Sequence, residues 1–175
     1  MSSFKIINGS CADQEVDAVV NAANRMLMSG GGICGVIFSK CGYEELNKAC
    51  SNYSTPVNDG DAVITPAFKM NNAKYIIHAV GPNFSITPDA MDKLYLAYYN
   101  SLVVLKENNL HSISFPLISS GIFGGNLSNP AGESTRECIK AYNDFVKNND
   151  YDIDVTLCAF TPKEYQEALE MKKEF

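Results

Sequence analysis

The sequence predicts an α/β fold, a three-layer α/β/α sandwich with a mixed, mostly parallel central sheet. Two observations carry that expectation. Short apolar runs of strand length alternate with amphipathic stretches of helical period along the chain, the pattern of strands laid side by side and covered by helices. Two of the runs end in glycine-bearing turns that lead into helical sequence: Asn21-Ala-Ala-Asn24 continuing to Gly30-Gly31-Gly32-Ile33, and Ser119-Ser120-Gly121-Ile122-Phe123-Gly124. In open sheets of this kind ligands bind where parallel strands end, so both turns lie on the expected binding edge.

Taken in order, Lys5 to Asn8 reads as the first strand and Ala18 to Asn21 as the second. Ala18-Val19-Val20 is apolar on consecutive positions, as in a strand covered on both faces. Ile33, Val36, Ile37, Lys40 and Cys41 then fall at helical spacing, and a further helix follows over Tyr43 to Cys50. Asp61 to Thr65, closed by Pro66, and Tyr75 to Val80, closed by Gly81-Pro82, are strands. Pro88-Asp89 opens a long helix with Met91, Leu94, Tyr98, Leu102 and Leu105 on its apolar side, ending near Asn108-Asn109. Ser112 to Leu117 is a buried strand. A helix from about Ala131 to Val146, a strand from Ile153 to Cys158 and a helix from Pro162 onward complete the alternation.

A length of 175 residues suits one domain, residues 1–175, and no repeat, low-complexity tract or linker divides it. The net charge of −6 and the absence of a Lys/Arg stripe remove the positive field that gathers polynucleotide phosphates, so nucleic acid is not an expected partner. No apolar run approaches the roughly 20 residues of a membrane span. Met1-Ser2-Ser3-Phe4-Lys5 lacks the apolar core of a signal peptide, so the expectation is a cytoplasmic monomer without membrane partners. Cys11, Cys34, Cys41, Cys50, Cys138 and Cys158 form no C-x-x-C pair, and His78 and His111 are the only histidines. No metal and no cofactor are expected, and the cysteines read as buried thiols. His78, inside an apolar strand, reads as a buried, hydrogen-bonded ring.

A glycine turn between a strand and a helix leaves unpaired N–H groups and the positive end of the helix directed at one spot, where an anion can sit. Two such turns would grip a diphosphate from both sides. In a chain of net negative charge such a ligand must be held by backbone dipoles, which agrees with the glycines.

Val-Val-Asn21-Ala-Ala-Asn24, Gly30-Gly31-Gly32-Ile33-Cys34-Gly35, Gly60-Asp61-Ala62-Val63-Ile64-Thr65, Tyr75-Ile-Ile-His78-Ala-Val-Gly81-Pro82 and Phe115-Pro-Leu-Ile-Ser119-Ser-Gly121-Ile-Phe123-Gly124 stand in the order and spacing of one family. By these motifs the chain resembles the macrodomains, and within them the MacroD-like branch. The resemblance implies a ligand, ADP-ribose or an ADP-ribosylated protein, and two activities: release of ADP-ribose from modified proteins and deacetylation of O-acetyl-ADP-ribose. It implies that the Asn24 amide bonds the distal ribose as the first catalytic residue, and that Asn21, Gly30, Gly31, Gly32 and Ile33 line one side of the diphosphate. Ser119, Ser120, Gly121, Ile122 and Phe123 would line the other side, with Phe123 against the distal ribose. Phe160 would stack on adenine, and Ser10 and Cys11 would lie beside it.

The chain departs from the family pattern at three places. Ser10 stands where many members have an Asp that accepts from the adenine amino group, with Asp13 close by in sequence. Cys34 and Phe38 stand where the MacroD-like branch has an Asp and a His. The departures leave three functions open: a hydrolase using water activated by the substrate's own phosphate, a reader that binds without turnover, and a sensor of another nucleotide. Cys34, near a helix start, is also a candidate nucleophile.

Overall fold

The computed structural model describes all 175 residues. Strands β1 (Ser3–Asn8), β2 (Val16–Ala23), β3 (Ala62–Pro66), β4 (Ala73–Val80), β5 (Ser112–Pro116) and β6 (Asp154–Ala159) form one sheet in the order β1-β6-β5-β2-β4-β3. Neighbours run parallel except β3, which turns back antiparallel on β4. Helices α1 (Gly32–Cys41), α2 (Tyr43–Cys50), α3 (Ala90–Glu107), α4 (Pro130–Asn148) and α5 (Pro162–Lys172) cover the two faces, as the alternation predicts.

Strand β2 lies between β5 and β4, which is why its sequence is apolar on consecutive residues: Ala18, Val19 and Val20 are all fully buried. Side-chain alternation divides its burial between two cores. Ala18 and Val20 pack with Leu94, Tyr98, Phe115 and Phe145 on the side of α3, α4 and α5. Val19 and Ala23 pack with Ile37, Phe38 and Leu46 beneath α1 and α2.

The differences from the sequence reading are at boundaries. β2 extends to Val16 because Val16 pairs with Ala73 at the start of β4. β1 reaches back to Ser3, which pairs with Asp154 and so joins the two ends of the chain in adjacent strands. α3 begins at Ala90 rather than at Pro88-Asp89, since Asp89 has φ of 53°, in the left-handed region that cannot continue a helix. α5 starts at Pro162 as expected, behind a capping box in which Thr161 and Glu164 satisfy each other's backbone N–H.

Because β1, β6, β5, β2 and β4 are parallel, the segments that follow them emerge along one edge of the sheet in that spatial order. The fold therefore sets Ser10, Phe160, the loop after β5, the loop after β2 and the loop after β4 side by side.

Candidate functional site

The order along this edge brings most of the sequence candidates together. Ser10 follows β1 and Phe160 follows β6, and the two are joined by Asn8, whose Nδ2 donates to the carbonyls of Ala159 (2.9 Å) and Phe160 (3.1 Å). The Phe160 ring is 74% exposed, so it belongs to no core. Next come Ser119 to Phe123, and then Asn24 to Gly32.

The loop after β2 is built around Asn24. Its Oδ1 accepts from the N–H groups of Met26 (3.1 Å) and Met28 (3.0 Å), and its Nδ2 donates to the Met28 carbonyl (2.8 Å). The amide is thus the scaffold of its own loop, with one Nδ2 hydrogen left for an outside acceptor. The sequence favours a ligand contact for Asn24 over the turn-capping that asparagine also performs after a strand, and the structure shows the capping.

Gly31 is the N-cap of α1, whose start has no side-chain cap. The N–H groups of Gly30, Gly31 and Gly32, like those of Gly121, Ile122 and Phe123 in the facing loop, donate to no other group of the protein. At Gly31 and at Gly121 a Cβ would meet nothing within 4 Å, and neither residue has positive φ. Gly31, with φ of −81° and ψ of −178°, has a backbone that any residue adopts, so the fold itself has no need of glycine there; Gly121, with φ of −90° and ψ of −127°, lies outside the main regions open to residues with a side chain. The missing Cβ at Gly31 leaves the backbone open to close approach from outside the chain.

The loop after β5 is held from beneath by two helices. Tyr98 of α3 accepts from the Ile118 N–H (3.0 Å), and Ser134 of α4 donates to the Ile118 carbonyl (2.6 Å), the two hydroxyls lying 2.6 Å apart. Ser119 has φ of 59°, an uncommon conformation for a residue with a side chain, and its Oγ donates to the Pro82 carbonyl (2.7 Å). The fit between loops is tight: a Cβ on Gly81 would lie 2.4 Å from Ile118 Cγ2. Phe84 N–H then donates to the Phe123 carbonyl (2.8 Å). Tyr98 and Ser134 carry no motif signal, since on apolar helix faces they read as core.

Several of the expected ligand side chains bond within the protein. Asn21 is 1% exposed; β-sheet register pairs it with His78, and both face the α1 and α2 layer, so its side chain supports the site from below. Cys11 is buried with Sγ donating to the Val20 carbonyl (3.5 Å), leaving only its backbone near the site. Ser120 Oγ donates to its own loop at Leu117 (2.8 Å). Ser10 Oγ caps the short turn Cys11–Asp13 by accepting from Ala12 N–H (3.3 Å). Asp13 cannot replace an adenine-reading acid freely, because Lys40 of α1 holds it at 2.9 Å.

Cys34 is 5% exposed in the first turns of α1, with Sγ donating to the Met28 carbonyl (3.6 Å) and accepting from Asn21 Nδ2 (3.6 Å). The thiol is thereby spent on packing the loop after β2 onto β2. His78 is wholly buried, as expected, and burial pushes its pKa down to about 4. All six cysteines are buried and free. No group of side chains is arranged to hold a metal ion. A groove of about 700 Å3 flanks edge strand β3 and α3, lined by Tyr53, Val57, Asn100 and Val104, and takes in none of the glycine loops.

Known proteins of similar sequence and fold show the family. The sequence model of the Macro domain family matches residues 20–131. A macro domain-containing protein of Caldanaerobacter subterraneus is 37% identical over 93% of this chain and 91% of its own length. The O-acetyl-ADP-ribose deacetylase of Salmonella typhimurium is 36% identical over 83% of this chain and 80% of its own. Among solved structures, the Oceanobacillus iheyensis macrodomain with ADP superposes with a TM-score of 0.87 at 32% identity, covering 97% of this chain and 89% of that one. The Trypanosoma brucei macrodomain in complex with ADP-ribose superposes with a TM-score of 0.83 at 25% identity, covering 98% of this chain and 69% of that one. With its family motifs, its six-stranded sheet and its two glycine loops on one edge, this chain belongs to the macrodomain family.

Proposed function

We propose that the protein binds ADP-ribose along the carboxyl edge of its sheet and hydrolyses esters of it, either mono-ADP-ribose on acidic side chains or O-acetyl-ADP-ribose. The observation that carries this reading is Gly31, a glycine the fold does not require, whose neighbouring free N–H groups are matched by those of Gly121, Ile122 and Phe123 in the loop after the adjacent parallel strand. A diphosphate between the two loops would accept from both sets of donors, and its length would reach from Phe160 and Ser10 at one end to Asn24 at the other.

Hydrolysis adds water across the ester: its oxygen bonds the ester carbon, its proton leaves to a base, and the alkoxide leaving group takes up a proton. The ionisable side chains near the edge are engaged elsewhere, Asp13 by Lys40 and Asp59 by Arg25, while the His78 ring is buried. Catalysis then rests on positioning by Asn24 and on backbone dipoles, with a phosphate oxygen of the substrate as base. Cys34 in place of an acid favours a second reading, a reader that binds the same ligand without turnover.

Calorimetry and a turnover assay test both. Free ADP-ribose is expected to bind with roughly micromolar Kd, about −8 kcal/mol, and much more tightly than AMP. Release of ADP-ribose from a mono-ADP-ribosylated protein supports the hydrolase; binding without release leaves the reader. No heat and no thermal shift at millimolar ADP-ribose sinks both.

A further inference from the structure

We infer that Asp59 is a positioning residue that fixes the spacing of the two glycine loops, by bracing the loop after β2 against the loop after β4. Asp59 lies in the connection between α2 and β3, outside every family motif, with a side chain only 6% exposed. Arg25, the residue after Asn24, donates to it as a fork, Nε to Oδ1 at 2.8 Å and Nη2 to Oδ2 at 2.7 Å. On its other side Thr87 donates its hydroxyl to Oδ2 at 2.8 Å. A planar two-bond fork fixes direction as well as distance, which a lone surface pair does not.

Thr87 passes the restraint on. Its Oγ1 also accepts from Asn83 N–H (3.0 Å) and closes the turn over 83–87, whose Phe84 N–H donates to the Phe123 carbonyl (2.8 Å). Val57 N–H adds a backbone tie to the Arg25 carbonyl (2.8 Å). A continuous path therefore runs from Asn24-Arg25 through Asp59 and Thr87 to Phe123, joining the two sides of the cradle at their tips. The strands join them only at the base. The pairs Arg136–Glu133 and Lys140–Glu137, by contrast, both lie within α4 and link no two loops.

The inference rests on the proposed binding of ADP-ribose, and its consequence is selective. ADP-ribose has to meet both loops, whereas AMP meets the Ser10 and Phe160 end and one loop. Asp59→Asn, which keeps shape and one acceptor, and Thr87→Val, which deletes the hydroxyl, should each weaken ADP-ribose about tenfold while AMP changes less than about twofold. The double variant should lose little more than either single one, since both cut the same path. Equal losses for the two ligands, or unchanged ADP-ribose affinity in variants with lowered Tm, would show Asp59 to be merely structural. Amide hydrogen exchange without ligand separates this from failure of the ligand reading: in Asp59→Asn the amides of Met28 and Phe84 should both lose protection. If only one of the two loosens, no brace exists whatever the protein binds.

Discussion

Asn21 and His78 sit opposite each other across the β2–β4 register, with the amide Nδ2 3.2 Å from the ring Nδ1. A donating Nδ2 requires Nδ1 to be the acceptor, so the ring hydrogen is on Nε2, which faces Thr65 Oγ1 at 3.0 Å. A second ring proton would point at the amide N–H. Desolvation adds to this cost and holds the ring neutral, with a pKa of about 4 against 6.5 in water.

A histidine with a depressed folded-state pKa binds fewer protons folded than unfolded, so stability is full above the unfolded pKa and declines as pH falls. The decline should run from about pH 6.5 to 4 and reach about 3 kcal/mol. Asp17 and Asp59, lowered from 3.8, lose their contributions at still lower pH, and Glu137, raised from 4.5, acts in the opposite sense. Urea denaturation at several pH values checks this. A flat profile between pH 7 and 4.5, with the His78 ring resonances titrating near pH 6.5, would mean that the ring is protonated in place.

Gly31→Ala should leave Tm within a degree or two, because a Cβ there meets nothing and the backbone is already extended, whereas Gly121→Ala also meets open space but at ψ of −127°, so it should lower Tm somewhat. ADP-ribose affinity should fall by about 1 to 2 kcal/mol at each, from displaced N–H contacts of ordinary strength. Thermal melts and titrations on the same samples decide. If binding is untouched by both changes, the ligand does not approach these loops.

Tyr98→Phe deletes the acceptor of the Ile118 N–H and the neighbour of Ser134 Oγ, all of it buried. A cost of about 1 to 3 kcal/mol follows from leaving a buried donor unpaired. Since Ile118 precedes Ser119, ADP-ribose affinity should fall as well. Ser101→Ala is the control: that hydroxyl is equally buried but bonds only its own helix at Ala97 (2.7 Å), so it should affect stability without affecting binding. Equal binding losses in the two variants would refute a special role for the Tyr98 anchor.

Phe160→Ala should leave stability unchanged, the ring being 74% exposed, and weaken ADP-ribose by about 1 to 3 kcal/mol if adenine stacks on it. Ser10→Asp keeps an oxygen to cap Ala12 N–H and adds a second one toward the same end of the edge. Adenine preference over the inosine analogue should then rise. A preference that stays constant would assign adenine recognition to backbone groups.

The sheet, its helices and the edge that carries both glycine turns were legible because they are written in local periodicity and in turn chemistry. Side-chain direction was not legible. Asn21 and Asn24 look equivalent in Asn21-Ala-Ala-Asn24, yet strand register aims the first beneath α1 while the chain leaves the sheet before the second. Cys11 likewise stands beside Ser10 but is drawn under the sheet edge toward Val20. Arg25, Asp59, Thr87, Tyr98 and Ser134 meet only through tertiary contact, with sequence separations of 16 to 36 residues that no periodicity records.

Cys34 decides between the hydrolase and the reader. Its Sγ makes only weak, long hydrogen bonds, to the Met28 carbonyl and from Asn21 Nδ2, so Cys34→Ala should retain ADP-ribose binding within about twofold and retain whatever turnover the protein has. Cys34→Asp would place a carboxyl in the same gap, able to accept from Asn21 but repelled by the Met28 carbonyl once ionised. Burial would raise its pKa, so any gain in turnover from an orienting carboxylate should increase as pH rises. Single-turnover rates on a mono-ADP-ribosylated protein between pH 6 and 9 test the series. If Cys34→Ala abolishes release while ADP-ribose still binds, the thiol takes part in the chemistry and water activated by the substrate's phosphate does not account for it.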